Sequence, residues 1–217
     1  ANMQKVFYNC SSLATIDLAN WVLNATAAKV NTDYMFANCT NLHTIFVGEG
    51  WTYASLIANN TMFVGDSSIK GASGFVYNDG EANPGSSVYA NPGSFNCYLS
   101  YKRISGGVHW TIDSDGNLVL TPVNGVYGEL PTFAANETEN NPAKVPWYVF
   151  RENIRTFKIS QGEVGMTTGG YLTNMFAGCV NMTDCDLTGL NTSQAMGALN
   201  MFAGCEKVTE LDIAAFD

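Results

Sequence analysis

The chain has 217 residues, of which 46% are hydrophobic and only 13% charged, and its formal net charge is −9. That length permits one or two domains with real apolar cores. Ten Lys and Arg stand against nineteen acidic residues, with no basic run able to neutralise several phosphates, so neither nucleic acid nor an anionic membrane surface is an expected partner.

No apolar run approaches the roughly 18 to 20 residues that a membrane helix needs. The opening residues ANMQKVFYNC lack the basic start and apolar middle of a signal peptide, so any targeting segment is expected outside this chain. One phrase then recurs. It reads VFYNCSSLATIDL from Val6, MFANCTNLHTIFV from Met35, MFAGCVNMTDCDL from Met175 and MFAGCEKVTELDI from Met201. A degraded copy, MFVGDSSI from Met62, has Asp66 in place of Cys. The Phe-to-Phe steps are 29 (Phe7 to Phe36), 27 (Phe36 to Phe63) and 26 (Phe176 to Phe202), which is the period of a stacked repeat.

Within each copy an apolar pair spaced by one residue (Ile16 and Leu18, Ile45 and Val47, Cys185 and Leu187, Leu211 and Ile213) predicts a short, half-buried strand. The segment before the Cys has Met3, Val6, Phe7 and Cys10 at steps of three and four, which predicts one or two helical turns. A single unit cannot bury its apolar face alone, so the phrase is expected to recur because neighbouring units pack on it. After Met62 the pattern dissolves into Gly, Pro, Asn and Ser. Alternation in HWTID and NLVLT around Asp115-Gly116 predicts a β-hairpin, and the aperiodic stretch from Phe133 to Lys144 a surface loop.

These residues resemble the BspA-type leucine-rich-repeat surface proteins, whose units run close to MFxxCxxLxxLDLxxF. The resemblance implies an α/β solenoid of leucine-rich-repeat-like coils, a short parallel strand plus a helical turn each, in two partial arrays separated by a cap region with a β-hairpin. Residues 1–104 would be the end of one array with its irregular closing segment. Residues 105–217 would be a strand-rich opening cap, to about 165, and the first units of a second array. The implied function is non-enzymatic recognition or adhesion at the cell surface or outside the cell. The alternative is a structural spacer in a surface stalk or fibre. The expected partners are an extracellular protein or glycan, or neighbouring copies of the same chain meeting through open array ends. The parent protein is expected to continue the arrays at both ends.

The sequence offers little for catalysis or for a cofactor, and none is expected. The Gly-rich pieces GASG and TTGG lack a phosphate-cradling frame, and His43 and His109 are the only histidines. Six cysteines at repeat-dictated positions read as buried knobs, and all six are expected to be unbridged, with helical turns of neighbouring coils roughly 10 Å apart. Side chains that alternate with the buried strand residues should face outward, which makes Asp17, Phe46, Asp184, Asp186, Glu210 and Asp212 the candidate binding positions. Of these, Asp184, Asp186, Glu210 and Asp212 would form a carboxylate patch across strands about 4.8 Å apart, a candidate site for Ca²⁺ or a cationic partner, although Asp can equally be a solvated letter of the repeat. Seven Asn-x-Ser/Thr sequons, at Asn9, Asn24, Asn38, Asn59, Asn136, Asn181 and Asn191, mostly reflect repeat composition.

Overall fold

The computed structural model describes residues 1–23, 29–72, 75–77, 82–91, 97–214 and 216. The chain divides into two compact units, Ala1–Arg103 with Asp113–Asp115, and Ile104–Ile112 with Gly116–Asp217.

In the first unit, strands β1 (Thr15–Leu18) and β2 (Thr44–Val47) pair in parallel, with Ile16 opposite Ile45 and Leu18 opposite Val47. A third strand, β3 (Ser100–Ser105), begins there and pairs in parallel with β2. The four apolar strand side chains are buried, as their alternation dictates. Behind them the repeated phrase supplies the core. Met35, Phe36, Cys39, Leu42, Met62 and Phe63 are all fully buried. Phe7 stacks on Phe36 at 5.5 Å and 1°, Phe36 stacks on Phe63 at 5.5 Å and 10°, and Tyr98 closes the column edge-on at 5.2 Å from Phe63.

The segment before each Cys is not helical. Val6, Tyr8 and Cys10 donate their amides three residues back, to the carbonyls of Met3, Lys5 and Phe7, closing successive turns. The alternate amides, Met3, Lys5, Phe7 and Asn9, donate instead to the next repeat, to the carbonyls of Asn31, Asp33, Met35 and Ala37. An α-helix needs every amide for its own i−4 carbonyl, so giving every second one to a neighbour forbids it. The turns also force residues into left-handed backbone. Lys5 and Asn9, Tyr34 and Asn38, Asn174 and Gly178, Asn200 and Gly204, and Gly65 all have φ between 55° and 80°. Asn and Gly tolerate this region best, which is why one of them precedes the Cys in every copy of the phrase.

The second unit repeats the device. Met175, Ala177 and Cys179 close turns onto Leu172, Asn174 and Phe176, while Phe176 and Gly178 donate to the carbonyls of Met201 and Ala203 at 2.8 and 2.7 Å. Phe157 meets Phe176 edge-on at 4.7 Å, and Phe176 stacks on Phe202 at 5.4 Å. Upstream, β4 (Val108–Ile112) and β5 (Asn117–Pro122) form the expected antiparallel hairpin, with Val108, Trp110, Ile112, Leu118 and Leu120 turned inward. The remaining strands are β6 (Tyr127–Leu130), β7 (Thr156–Ile159), β8 (Glu163–Met166), β9 (Gly170–Tyr171), β10 (Asp184–Cys185), β11 (Leu190–Asn191) and β12 (Ala195–Gly197). They pair as β5 with β7 and β7 with β10, as β6 with β8 and β8 with β11, and as β9 with β12, all in parallel.

The expectation of an α/β solenoid of leucine-rich-repeat-like coils is therefore corrected. The described residues gather in small, mixed sheets, and their only helices are 3₁₀ turns of three or four residues, so no continuous coil of strand and helix forms. In the last repeat Leu211 and Ile213 lie in no strand at all. The Phe133–Lys144 loop is also not wholly at the surface. Phe133 is buried, 5.8 Å from the ring of Trp147, whose Nε1 donates to the Met175 carbonyl at 2.9 Å.

Two substitutions read the ladder directly. Phe36→Ala, at the fully buried centre of the column, is expected to cost roughly 3 to 5 kcal/mol in urea unfolding. Asn38→Ala, which keeps the core but replaces a residue that tolerates left-handed backbone with one that does not and removes the hydrogen bond to Asn9, is expected to cost about 1 to 2 kcal/mol.

Candidate functional site

The six strand-face candidates separate into two groups. On the first unit, Asp17 lies opposite Phe46 on β2, and Phe46 in turn opposite Ser100 on β3, so the three form one row across the parallel strands. Asp17 is exposed and Phe46 half-buried. Lys102, two residues along β3, reaches Asp17 with its Nζ 2.7 Å from Oδ2. The other carboxylate oxygen accepts the Ala19 amide at 2.9 Å. Not all of this face is open. Thr44, which alternates with Ile45 on β2, is buried, with its hydroxyl 2.9 Å from that of Ser114 and 3.0 Å from Nδ1 of His43.

On the second unit, Asp184 sits on β10 opposite Thr156, and Asp186 follows just beyond the strand. Both are exposed, as are Glu210 and Asp212, which lie outside any strand. Asp186 and Asp212 line one open depression of about 470 Å³ together with Leu187, Thr188, Gly189 and Ala214. Asp184 and Glu210 do not line it. Asp186 is held below the usual carboxylate range, first because Thr188 donates to it from both hydroxyl and amide, and then by the positive charge of Lys158. Among the described residues no group of three or more His, Cys, Asp or Glu side chains is placed to hold a metal ion. The two-by-two carboxylate patch is thus not assembled, because its last row has no strand to carry it.

The repeat position itself has a structural cause. Asp17, Asp186 and Asp212 each accept the amide two residues on, from Ala19, Thr188 and Ala214, at 2.9 Å in every case. This is the Asx turn, in which a short carboxylate stands in for a backbone carbonyl and turns the chain after the strand. The sequons have the same kind of origin. Asn59, Asn136 and Asn191 accept the amides of Thr61, Thr138 and Ser193, while Asn38 donates to Asn9 across repeats at 3.0 Å. Asn24 lies outside the described residues, as does part of the GASG piece.

All six cysteines are free. The physical reason is not helix spacing, since the turns are hydrogen bonded directly to one another. The Cys39 thiol donates to the Phe7 carbonyl at 3.0 Å and the Cys205 thiol to that of Phe176 at 3.2 Å. Burial pushes the thiol of Cys39 up to about 11 and those of Cys97, Cys179 and Cys185 up to about 12. Such thiols are not thiolate nucleophiles at neutral pH. Asp66, which takes the Cys position in the degraded copy, is fully buried; Oδ1 accepts the Cys39 amide at 2.8 Å and Oδ2 has no partner. Burial raises its pKa to about 8. Sequence reasoning named these carboxylates but missed Lys102 and Lys158, whose partners stand far away along the chain.

A family model described as "Mycoplasma protein of unknown function, DUF285" matches residues 1–75 and 148–217. The chain belongs to this DUF285 family. No curated protein and no solved structure matches it. The two matched segments contain every copy of the repeated phrase, so what the DUF285 match covers is the turn ladder and its strands; most of the intervening hairpin region lies outside it.

Two measurements follow from the buried groups. A carboxyl whose folded pKa lies above its unfolded value of 3.8 binds a proton in the folded state that it releases on unfolding, so stability falls as pH rises from about 4 towards 8 and is level above that. Asp66→Asn is expected to flatten this dependence and to raise the melting temperature at pH 8. Alkylation under native conditions should label Cys10 far faster than Cys39, Cys97, Cys179 or Cys185, with all six thiols labelled after denaturation.

Proposed function

We propose that this chain is a non-enzymatic recognition segment of an extracellular or cell-surface protein, binding a protein or glycan through its strand rows. One observation carries the reading. At the repeat position where Asp17, Asp186 and Asp212 each cap their own turn, the second copy has Phe46, a half-buried ring in register between Asp17 and Ser100. An aromatic ring that the turn does not require, beside an Asp–Lys pair, is a platform suited to the apolar face of a sugar or to a peptide side chain.

The phrase resembles that of the BspA-type surface proteins, and membership of a repeat family is consistent with a display surface built by repetition. The raised thiols and the sparse histidines favour binding over chemistry. A structural spacer in a surface stalk or fibre is the second reading, favoured by the repetition itself. It assigns no role to Phe46.

A screen of immobilised matrix proteins and glycans, run with the chain and with Phe46→Ala, separates the two. The recognition reading expects binding to one class of ligand and at least a tenfold loss in the variant, with an unchanged melting temperature. Binding that survives Phe46→Ala, or none at all, would sink it.

A further inference from the structure

The row that holds Phe46 carries a second group that neither the turns nor the core require. Ser100, directly opposite Phe46 on β3, is fully buried, and its hydroxyl has no hydrogen-bond partner among the described residues. Residues in register on parallel strands turn their side chains to the same side, so this hydroxyl stands on the face that carries the Phe46 ring. A buried hydroxyl without a partner lowers stability, and a ligand group that bonds to it removes that penalty. Phe46 is on the middle one of the three strands, so this face does not depend on what lies beside β1.

Lys102 completes the surroundings of the ring. It lies one place past the pairing of Val47 with Tyr101, next to Gly48, where a Cβ would collide with the Ala19 carbonyl oxygen. With no side chain at Gly48 to obstruct it, Lys102 crosses β2 beside Phe46 and brings Nζ to 2.7 Å from Oδ2 of Asp17 on β1. The ammonium has three N–H donors and gives one of them to Asp17. The result is an aromatic face, a donor whose charge is cancelled by its neighbour, and a buried hydroxyl, all on three adjacent strands.

We infer that this row takes a neutral pyranose residue of a glycan, an assignment that rests on the proposed recognition through Phe46 and narrows its ligand. A pyranose has C–H bonds on its faces and hydroxyls around its rim. Its face packs on the Phe46 ring, one rim hydroxyl accepts from Lys102, and a second pairs with Ser100. Ser100 is reached when the Phe46 ring, half-buried and directly opposite, turns to another rotamer. Peptide side chains match the same groups less well. An acidic one meets an ammonium already neutralised by Asp17, a basic one meets that ammonium as a like charge, and an apolar one leaves Ser100 without a partner.

Amide chemical shifts of β1, β2 and β3 test the inference, titrated with methyl glycosides of glucose, galactose and mannose, with methyl glucuronide, and with short acidic, basic and apolar peptides. At least one neutral glycoside is expected to bind more tightly than the glucuronide and every peptide, with an affinity that added salt leaves unchanged. Phe46→Ala should lose at least tenfold. Ser100→Ala should weaken the sugar several-fold while the melting temperature holds or rises, which a merely structural serine would not do. Asp17→Asn keeps a side-chain oxygen for the Ala19 turn but leaves the Lys102 charge uncancelled, so the glucuronide should overtake the neutral glycoside and its affinity should fall with salt. Wild-type preference for the glucuronide or for a peptide, lost in Phe46→Ala, would keep Phe46 as a recognition site and overturn the sugar assignment. No Phe46-dependent binding of any probe would overturn both. A Ser100→Ala variant that binds like the wild type, or an Asp17→Asn variant with an unchanged order of preference, would also overturn the assignment.

Discussion

The structure depends on one division of labour among backbone amides. In the phrases at Phe7, Phe36 and Phe176, alternate amides close three-residue turns and the others cross to the next repeat. Buried backbone groups must be paired, and here both sets are. Everything else in the repeat answers to this arrangement. The turns need left-handed backbone just before the Cys, which selects Asn or Gly. The crossing bonds hold successive phrases at one height, which brings Phe7, Phe36 and Phe63 into a single column. The Cys thiol then finds the Phe carbonyl of the preceding repeat, and stays free.

Much of this was legible in the residues. The spacing of the phrase located every repeat, the alternation located β1, β2 and the β4–β5 hairpin, and the Phe positions located the column. What misled was periodicity. A run of tandem three-residue turns places apolar residues at steps of three and four, as Met3, Val6, Phe7 and Cys10 are placed, and so imitates an amphipathic helix. The distinguishing signal was present but weak, an Asn or Gly immediately before each Cys. In the same way the Asp within each apolar pair read as a surface charge, when Asp17, Asp186 and Asp212 each cap the turn that follows. The lysines that moderate that row were not readable, because Lys102 meets Asp17 from 85 residues away.

The two departures from the repeat are the informative positions. Asp66 takes a place built for a thiol and keeps only one of its oxygens paired, which makes it a pH-sensitive weak point in an otherwise apolar column. Phe46 takes a place built for a turn-capping carboxylate and puts a half-buried ring in register with Asp17, whose carboxylate pairs with Lys102. A repeated scaffold tolerates such exchanges because its backbone ladder, rather than any one side chain, fixes the height of each unit. The same ladder gives the repeats a direction, since each phrase donates its alternate amides to the repeat that follows it in the chain.

Amide hydrogen exchange followed residue by residue tests this account most directly. The amides of Phe7, Asn9, Phe36, Asn38, Phe176 and Gly178 should be strongly protected, and those of Phe202 and Gly204 should exchange at nearly the rate of an open chain. Uniform protection across the last repeat, or rapid exchange at Phe36 and Asn38, would contradict the ladder.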